Sequence, residues 1–155
     1  MKTQLVILGT VLLILGSILI MPTRQSPPLH SYATANVHLS SHQLRVRIPL
    51  TTAASEQGLD GVTRLSDQEG MLWRFTDPQR PTFWMKGMKI PLDLIWIRDG
   101  RVMQITPNAP TPTANDLPLY QPKELVTNVL EVRAGFAADY HIVPGTEFSF
   151  ELIEP

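Results

Sequence analysis

The sequence predicts a mainly β domain of the β-rich α+β class. The expected fold is a compact barrel-like or two-sheet antiparallel body with one or two short helices, preceded by an N-terminal transmembrane helix. Three observations carry this expectation. Several short segments alternate apolar and polar residues with the two-residue period of strands. An Asp99-Gly100 pair joins two of them as a tight hairpin. A long uncharged run, Leu5 to Met21, stands before them all.

That run is rich in Leu, Ile and Val and follows Lys2. Extended to Thr3 and Pro22 it reaches about 20 residues, or roughly 30 Å as a helix, which is enough to cross a bilayer core. It is read as a membrane anchor over residues 1–22. A cleaved signal peptide is the rival, but such peptides have shorter apolar cores and a nearby small-x-small site. The one neat match, Ala33-Thr34-Ala35, lies far downstream. Lys2 and a short N-terminal tail favour a cytoplasmic N-terminus and a periplasmic or extracellular domain. Residues 23–36, with Pro27 and Pro28, read as a semi-extended tether, leaving 37–155 as one globular domain.

Along the domain, Leu44 to Leu50 alternates as a half-buried strand. Thr51 or Thr52 is placed to cap a short helix through Ala53–Gln57 that ends at Gly58, with Glu56 a weak capping-box candidate. Met71–Phe75 and Phe83–Met85 follow as strands, separated by a polar turn at Asp77 and Pro78. Leu92–Ile97 is apolar on both faces except for Asp93, the mark of a central strand covered on both sides. Arg101–Ile105 returns from the Asp-Gly turn. Thr106 to Lys123 carries five prolines and reads as irregular chain that no sheet accepts. Leu125–Val132 and Phe148–Ile153 are two further strands, with a short helix over Ala134–Tyr140 between them.

Composition excludes several function classes. The formal net charge is -1 and no like-charge run occurs, so the footprint of a nucleic-acid binder is missing. There is no cysteine, which removes disulfides, thiolate metal sites and cysteine nucleophiles. His30, His38, His42 and His141 lack metal-ligand spacing, and Met71, Met85 and Met88 come without a supporting histidine or Met-x-x-Met repeat. Neither a metal nor a cofactor is expected.

Ordered blocks of residues carry a family resemblance. They are Gly58-Leu59, Gly70-Met71-Leu72-Trp73, Phe83-Trp84-Met85-Lys86, Pro91-Leu92-Asp93, Asp99-Gly100, Leu130-Glu131, Gly135 and Gly145. Together, over about residues 43–152, they resemble the bacterial and archaeal family known as domain of unknown function 192. The resemblance implies a mostly β fold and no known activity, substrate or cofactor. Two departures stand out. The family pattern has Gly-Leu-Met after a basic residue where this chain has Gln57-Gly58-Leu59-Asp60, and Asn-Thr after Trp-Met-Lys where this chain has Gly87-Met88.

Five residues are candidates for ligand contact: Trp84, Met85, Lys86, Asp93 and Glu131. A carboxylate in an apolar strand has a raised pKa and can act as a general acid beside a second one. The plainer reading has Asp93 accepting backbone or Lys86 hydrogen bonds that fix the strand register. Trp84 and Met85 suit a sugar ring or a cation, or else simply fill the core. The leading functional expectation is a non-catalytic binding or accessory module tethered in the cell envelope, its partners the membrane and a small ligand or envelope protein. The alternatives are a hydrolase-like enzyme acting on an envelope glycan or small polar substrate through Asp93 and Glu131, and a structural protein-interaction domain presenting the proline-rich loop.

Overall fold

The computed structural model describes residues 26–113 and 116–153. The anchor expected over residues 1–22 lies outside them; among the described residues no helix is long and apolar enough to cross a membrane. The described chain is a mainly β fold of two sheets with a few short helices. A 3-10 turn, Leu29–Ser31, leads into β1 (Tyr32–Leu39) and β2 (His42–Pro49), then α1 (Thr52–Gln57) and β3 (Glu69–Gln79). After β4 (Phe83–Trp84) come the hairpin strands β5 (Leu92–Arg98) and β6 (Arg101–Ala109), and then β7 (Leu119–Tyr120). The chain closes with β8 (Val126–Arg133), α2 (Phe136–Asp139) and β9 (Phe148–Ile153).

Seven strands form one sheet in the order β6-β5-β8-β3-β2-β1-β9, and β4 pairs with β7 in a separate two-stranded sheet. All pairings are antiparallel except β2 with β3, which is parallel because α1 and the following loop carry the chain back to the same end. The large sheet curls until its edges meet at the Asp99-Gly100 turn. There Arg101 bridges Glu147, Phe148 N donates to Gly100 O at 2.8 Å, and Val102 N donates to Thr146 O at 2.9 Å. Asp99 (φ 51°) and Gly100 (φ 70°) both adopt the left-handed backbone that a two-residue hairpin turn demands.

The curl gives the sheet an inner and an outer face, each with its own core. Alternate residues of β5 and β8 supply both: Ile95, Ile97, Leu130 and Val132 pack inside with Val37, Val46, Leu72 and Phe136. Leu92, Leu94, Trp96 and Val129 pack outside with Met71, Phe83, Met85 and Met88. This is why Leu92–Ile97 reads as apolar throughout.

Four local expectations are corrected. β1 begins at Tyr32, so residues 32–36 belong to the sheet although the nearby prolines suggested a tether. The expected turn at Asp77 and Pro78 is instead part of β3, which continues past an irregularity to pair Gln79 with Val126. Residues 106–109 remain in β6 despite Pro107, and Leu119–Tyr120 form β7. Pro107 is tolerated because the ladder pairs Leu92 with Ala109 and Leu94 with Thr106, leaving Pro107 and Asn108 as a bulge opposite Asp93. Finally, Thr51 is the N-cap of α1, its hydroxyl accepting from Ala54 N at 3.2 Å. Ala54 is then the third helical residue, so Glu56 falls outside the capping box.

Candidate functional site

Asp93 and Glu131 lie on adjacent strands but on opposite faces. Leu94 is the register partner of Glu131, and Asp93 that of Val132. Side chains alternate along a strand, so Glu131 shares the outer face with Leu94 while Asp93 points inward with Ile95. The carboxylates do not form a pair, and the expectation of a two-carboxylate catalytic site through Asp93 and Glu131 is overturned.

Asp93 is fully buried. Its Oδ1 accepts from Asn108 N (2.8 Å) and Gly135 N (3.1 Å), and its Oδ2 from Ala137 N (2.9 Å). It thus fastens the β6 bulge and the start of α2 to the central strand. Gly135, the N-cap of α2, has left-handed backbone (φ 81°) and no side chain to cap the helix, so Asp93 caps it from across the sheet. Lys86 is not among its partners. Hydrogen bonds to a charged group contribute about 1.5–3 kcal/mol each, so the role of Asp93 is structural.

Glu131 sits in a different setting. It is 6% exposed and lines an open cleft of about 310 Å³ on the outer face. Burial pushes its pKa up to about 7, with the Trp73 indole N–H beside it pulling weakly the other way. That N–H is itself buried and has no well-aligned hydrogen-bond partner among the described residues. The carboxyl group and the indole N–H therefore face each other, an acceptor and a donor without a well-aligned bond between them.

Aromatic side chains build the cleft wall. Trp73 meets Phe83 edge to face at 5.1 Å, and Phe83 meets Trp96 in the same way at 5.6 Å. Trp96 is locked by its own bond from Nε1 to Thr106 Oγ1 at 3.0 Å. The far wall is α1, which brings Thr52, Ser55 and Glu56 to the rim. Gly58 closes that helix at a positive φ of 53°, a backbone that glycine permits, and lies against the Trp73 ring.

The remaining candidates divide between cleft and core. Trp84 and its register partner Leu119 both face outward, 54% and 63% exposed, which puts the Trp84 ring at the cleft mouth. Lys86 is exposed and places Nζ 5.7 Å from the Trp84 ring centroid. Met85 is buried in the outer core with Met71 and Met88 and does not reach the cleft. Sequence reasoning missed Trp73, Phe75 and the α1 rim. The Trp73/Glu131 juxtaposition needs the β3–β8 pairing, which no local pattern reveals. A second hollow of about 320 Å³ beside β6, bordered by Met103, Pro122 and Pro144, contains no buried charge. Among the described residues no group of three His, Cys, Asp or Glu side chains is placed to hold a metal.

Known proteins add a family to this geometry. No curated protein matches the chain. A crystal structure of a candidate transcription regulator from Sinorhizobium meliloti superposes with a TM-score of 0.70 at 30% identity, covering 77% of this chain and 95% of that one. A protein of unknown function from Novosphingobium aromaticivorans gives 0.64 at 34% identity, covering 76% and 84%. The DUF192 family model, described as an uncharacterized ACR, matches residues 33–150, and the chain belongs to that family.

Proposed function

We propose that this domain is a non-catalytic binding module that takes a small polar ligand into the cleft between α1, β3 and the Phe83–Lys86 segment. One observation carries the reading: Glu131, almost fully buried and with no cation shifting its carboxyl group, lines that cleft beside a buried indole N–H that meets it without good alignment. Burying a carboxyl group with only a poorly aligned indole N–H beside it costs free energy, so packing alone favours an apolar residue at this position. A titratable group shifted by burial in an aromatic hollow is a candidate binding group.

Glu56 at the rim is the only other carboxylate on the cleft among the described residues, and it lies exposed on a short helix. One sealed acid without a positioned second group favours binding over hydrolysis. The name of the Sinorhizobium relative raises nucleic acid as a partner, but a net charge of -1 does not favour it. The envelope setting belongs to the same proposal. It is supported by the apolar run from Leu5 to Met21 with Lys2 before it, which favours a cytoplasmic N-terminus and a periplasmic or extracellular domain.

A thermal-shift screen of the full-length protein against small polar compounds tests the cleft. Compounds that raise the melting temperature of the native protein should lose their effect in Trp84→Ala and Glu131→Gln and keep it in Glu151→Gln on the far strand. A screen without hits, or hits indifferent to both cleft changes, would remove the proposal. A reporter fused after Ile153 that works only in the cytoplasm would reverse the orientation.

A further inference from the structure

We propose that the ligand of this cleft is a saccharide, with one ring hydroxyl seated between Trp73 Nε1 and the Glu131 carboxyl group and the ring's apolar face against the aromatic wall that ends in Trp84. The inference deepens the binding reading above and rests on it.

Hydrogen-bond accounting is the first argument. An indole N–H is a donor only, while a carboxylate accepts, and when protonated it also donates. The two face each other without a well-aligned bond between them. A hydroxyl group is donor and acceptor at once, so a single ligand hydroxyl satisfies both neighbours. A cation offers nothing for the indole N–H. An anion satisfies the N–H but brings like charge against ionised Glu131.

The walls are the second argument. Saccharide rings carry an apolar C–H face beneath an oxygen-rich edge, so they need a flat aromatic surface next to polar groups. This cleft has that composition: Trp73, Phe83 and the half-exposed Trp84 on one side, the hydroxyls of Thr52 and Ser55 on the other. The rim charges, Glu56 and Lys86, are of opposite sign, which suits a neutral ligand. Lys86 Nζ, 5.7 Å from the Trp84 ring, already supplies a cation at that aromatic face and disfavours a second. At about 310 Å³ the cleft is at the small end of ligand sites and suits one or two rings.

The full-length protein, labelled with ¹⁵N at tryptophan, gives one indole signal for each of Trp73, Trp84 and Trp96. Chitobiose, cellobiose and maltose are titrated in, with tetramethylammonium chloride and sodium acetate as charged probes. At least one disaccharide should move the Trp73 and Trp84 signals and leave Trp96, which is held by Thr106, in place. Its affinity should fall by about tenfold or more in Trp73→Phe, which removes only the N–H, and in Glu131→Gln. Trp84→Ala, at an exposed position that needs no core rearrangement, should weaken it similarly. If a charged probe moves these signals and no disaccharide does, the saccharide assignment falls while the cleft stands. The assignment also falls if disaccharide binding is indifferent to both Trp73→Phe and Glu131→Gln. If no probe binds and the thermal-shift screen is also empty, the binding reading falls with it.

Discussion

The Asp60 carboxylate fills the space that a side chain on residue 87 needs. A Cβ on Gly87 would approach three atoms of that carboxyl group, the farthest at 2.7 Å, and Gly87 holds a left-handed φ of 79°. They belong to the two segments where the chain departs from the family pattern, Gln57–Asp60 and Gly87-Met88, with Asp60 in place of Met and Gly87 in place of Asn. The structure puts these two residues in contact.

Restoring asparagine at 87 alone should therefore cost about 1–2 kcal/mol, since Asp60 must move and give up its present interactions. In the Asp60→Met background the same change should cost markedly less, a coupling of about 1 kcal/mol measured by a urea-denaturation double-mutant cycle. Equal costs in the two backgrounds would show the positions to be independent.

Asp93→Ala should destabilise the domain by about 3–5 kcal/mol, because it leaves three backbone N–H groups without their acceptor in and around the inner core. Hydrogen exchange should show the loss concentrated at Asn108 and the start of α2. Ligand affinity per folded molecule should be unchanged, because Asp93 lies on the opposite face from the cleft. A fall in affinity at constant folded fraction would contradict the separation of the two carboxylates.

Glu131 links stability to pH in a direction opposite to most carboxylates. Its folded pKa of about 7 lies above the ordinary value of 4.5, so the folded protein holds this proton more tightly than the unfolded chain does. The contribution is fully present below pH 4.5 and is lost as pH rises through about 7. The loss amounts to about 3 kcal/mol. Glu131→Gln should abolish this slope between pH 4.5 and 7, read from urea midpoints. An unchanged slope in the variant would assign the effect elsewhere.

Gly70→Ala should cost about 2–3 kcal/mol, since an added Cβ would lie 2.6 Å from the backbone oxygen of Glu131 and neither strand can yield locally. By separating β3 from β8 it should also let water reach Glu131 and lower its pKa, which ¹³C NMR of the carboxyl carbon would register. A stability loss with no movement of that pKa would mean the two strands shift without opening the cleft.

Much of the strand framework was legible from period alone. The Asp-Gly hairpin, the doubly covered strand at 92–98 and the short helix capped by Thr51 all declared themselves locally. β1 was hidden because prolines just ahead of it suggested a linker, and because Ala33, Ala35 and Asn36 carry little β signal. β6 was cut short because a proline normally ends a strand, and only a bulge opposite Asp93 lets the ladder resume. The candidate site was half legible. Trp84, Lys86 and Glu131 reach the cleft, but the indole that completes it comes from β3 through a pairing distant in sequence. Asp93 looked equal to Glu131 in the sequence; which face each occupies depends on register, and composition is silent about register.

The same register makes these two acids a proofreading device for folding. A slip of β5 or β8 by one residue would swap the faces of every side chain on that strand. Most of the swaps exchange one aliphatic residue for another, and a greasy sheet would tolerate them. The carboxylates would not: a slip of β5 strips Asp93 of its three N–H donors, and a slip of β8 drives Glu131 among Leu72, Ile95 and Phe136. Misaligned versions of this sheet are thus rejected by charge where shape alone would let them pass.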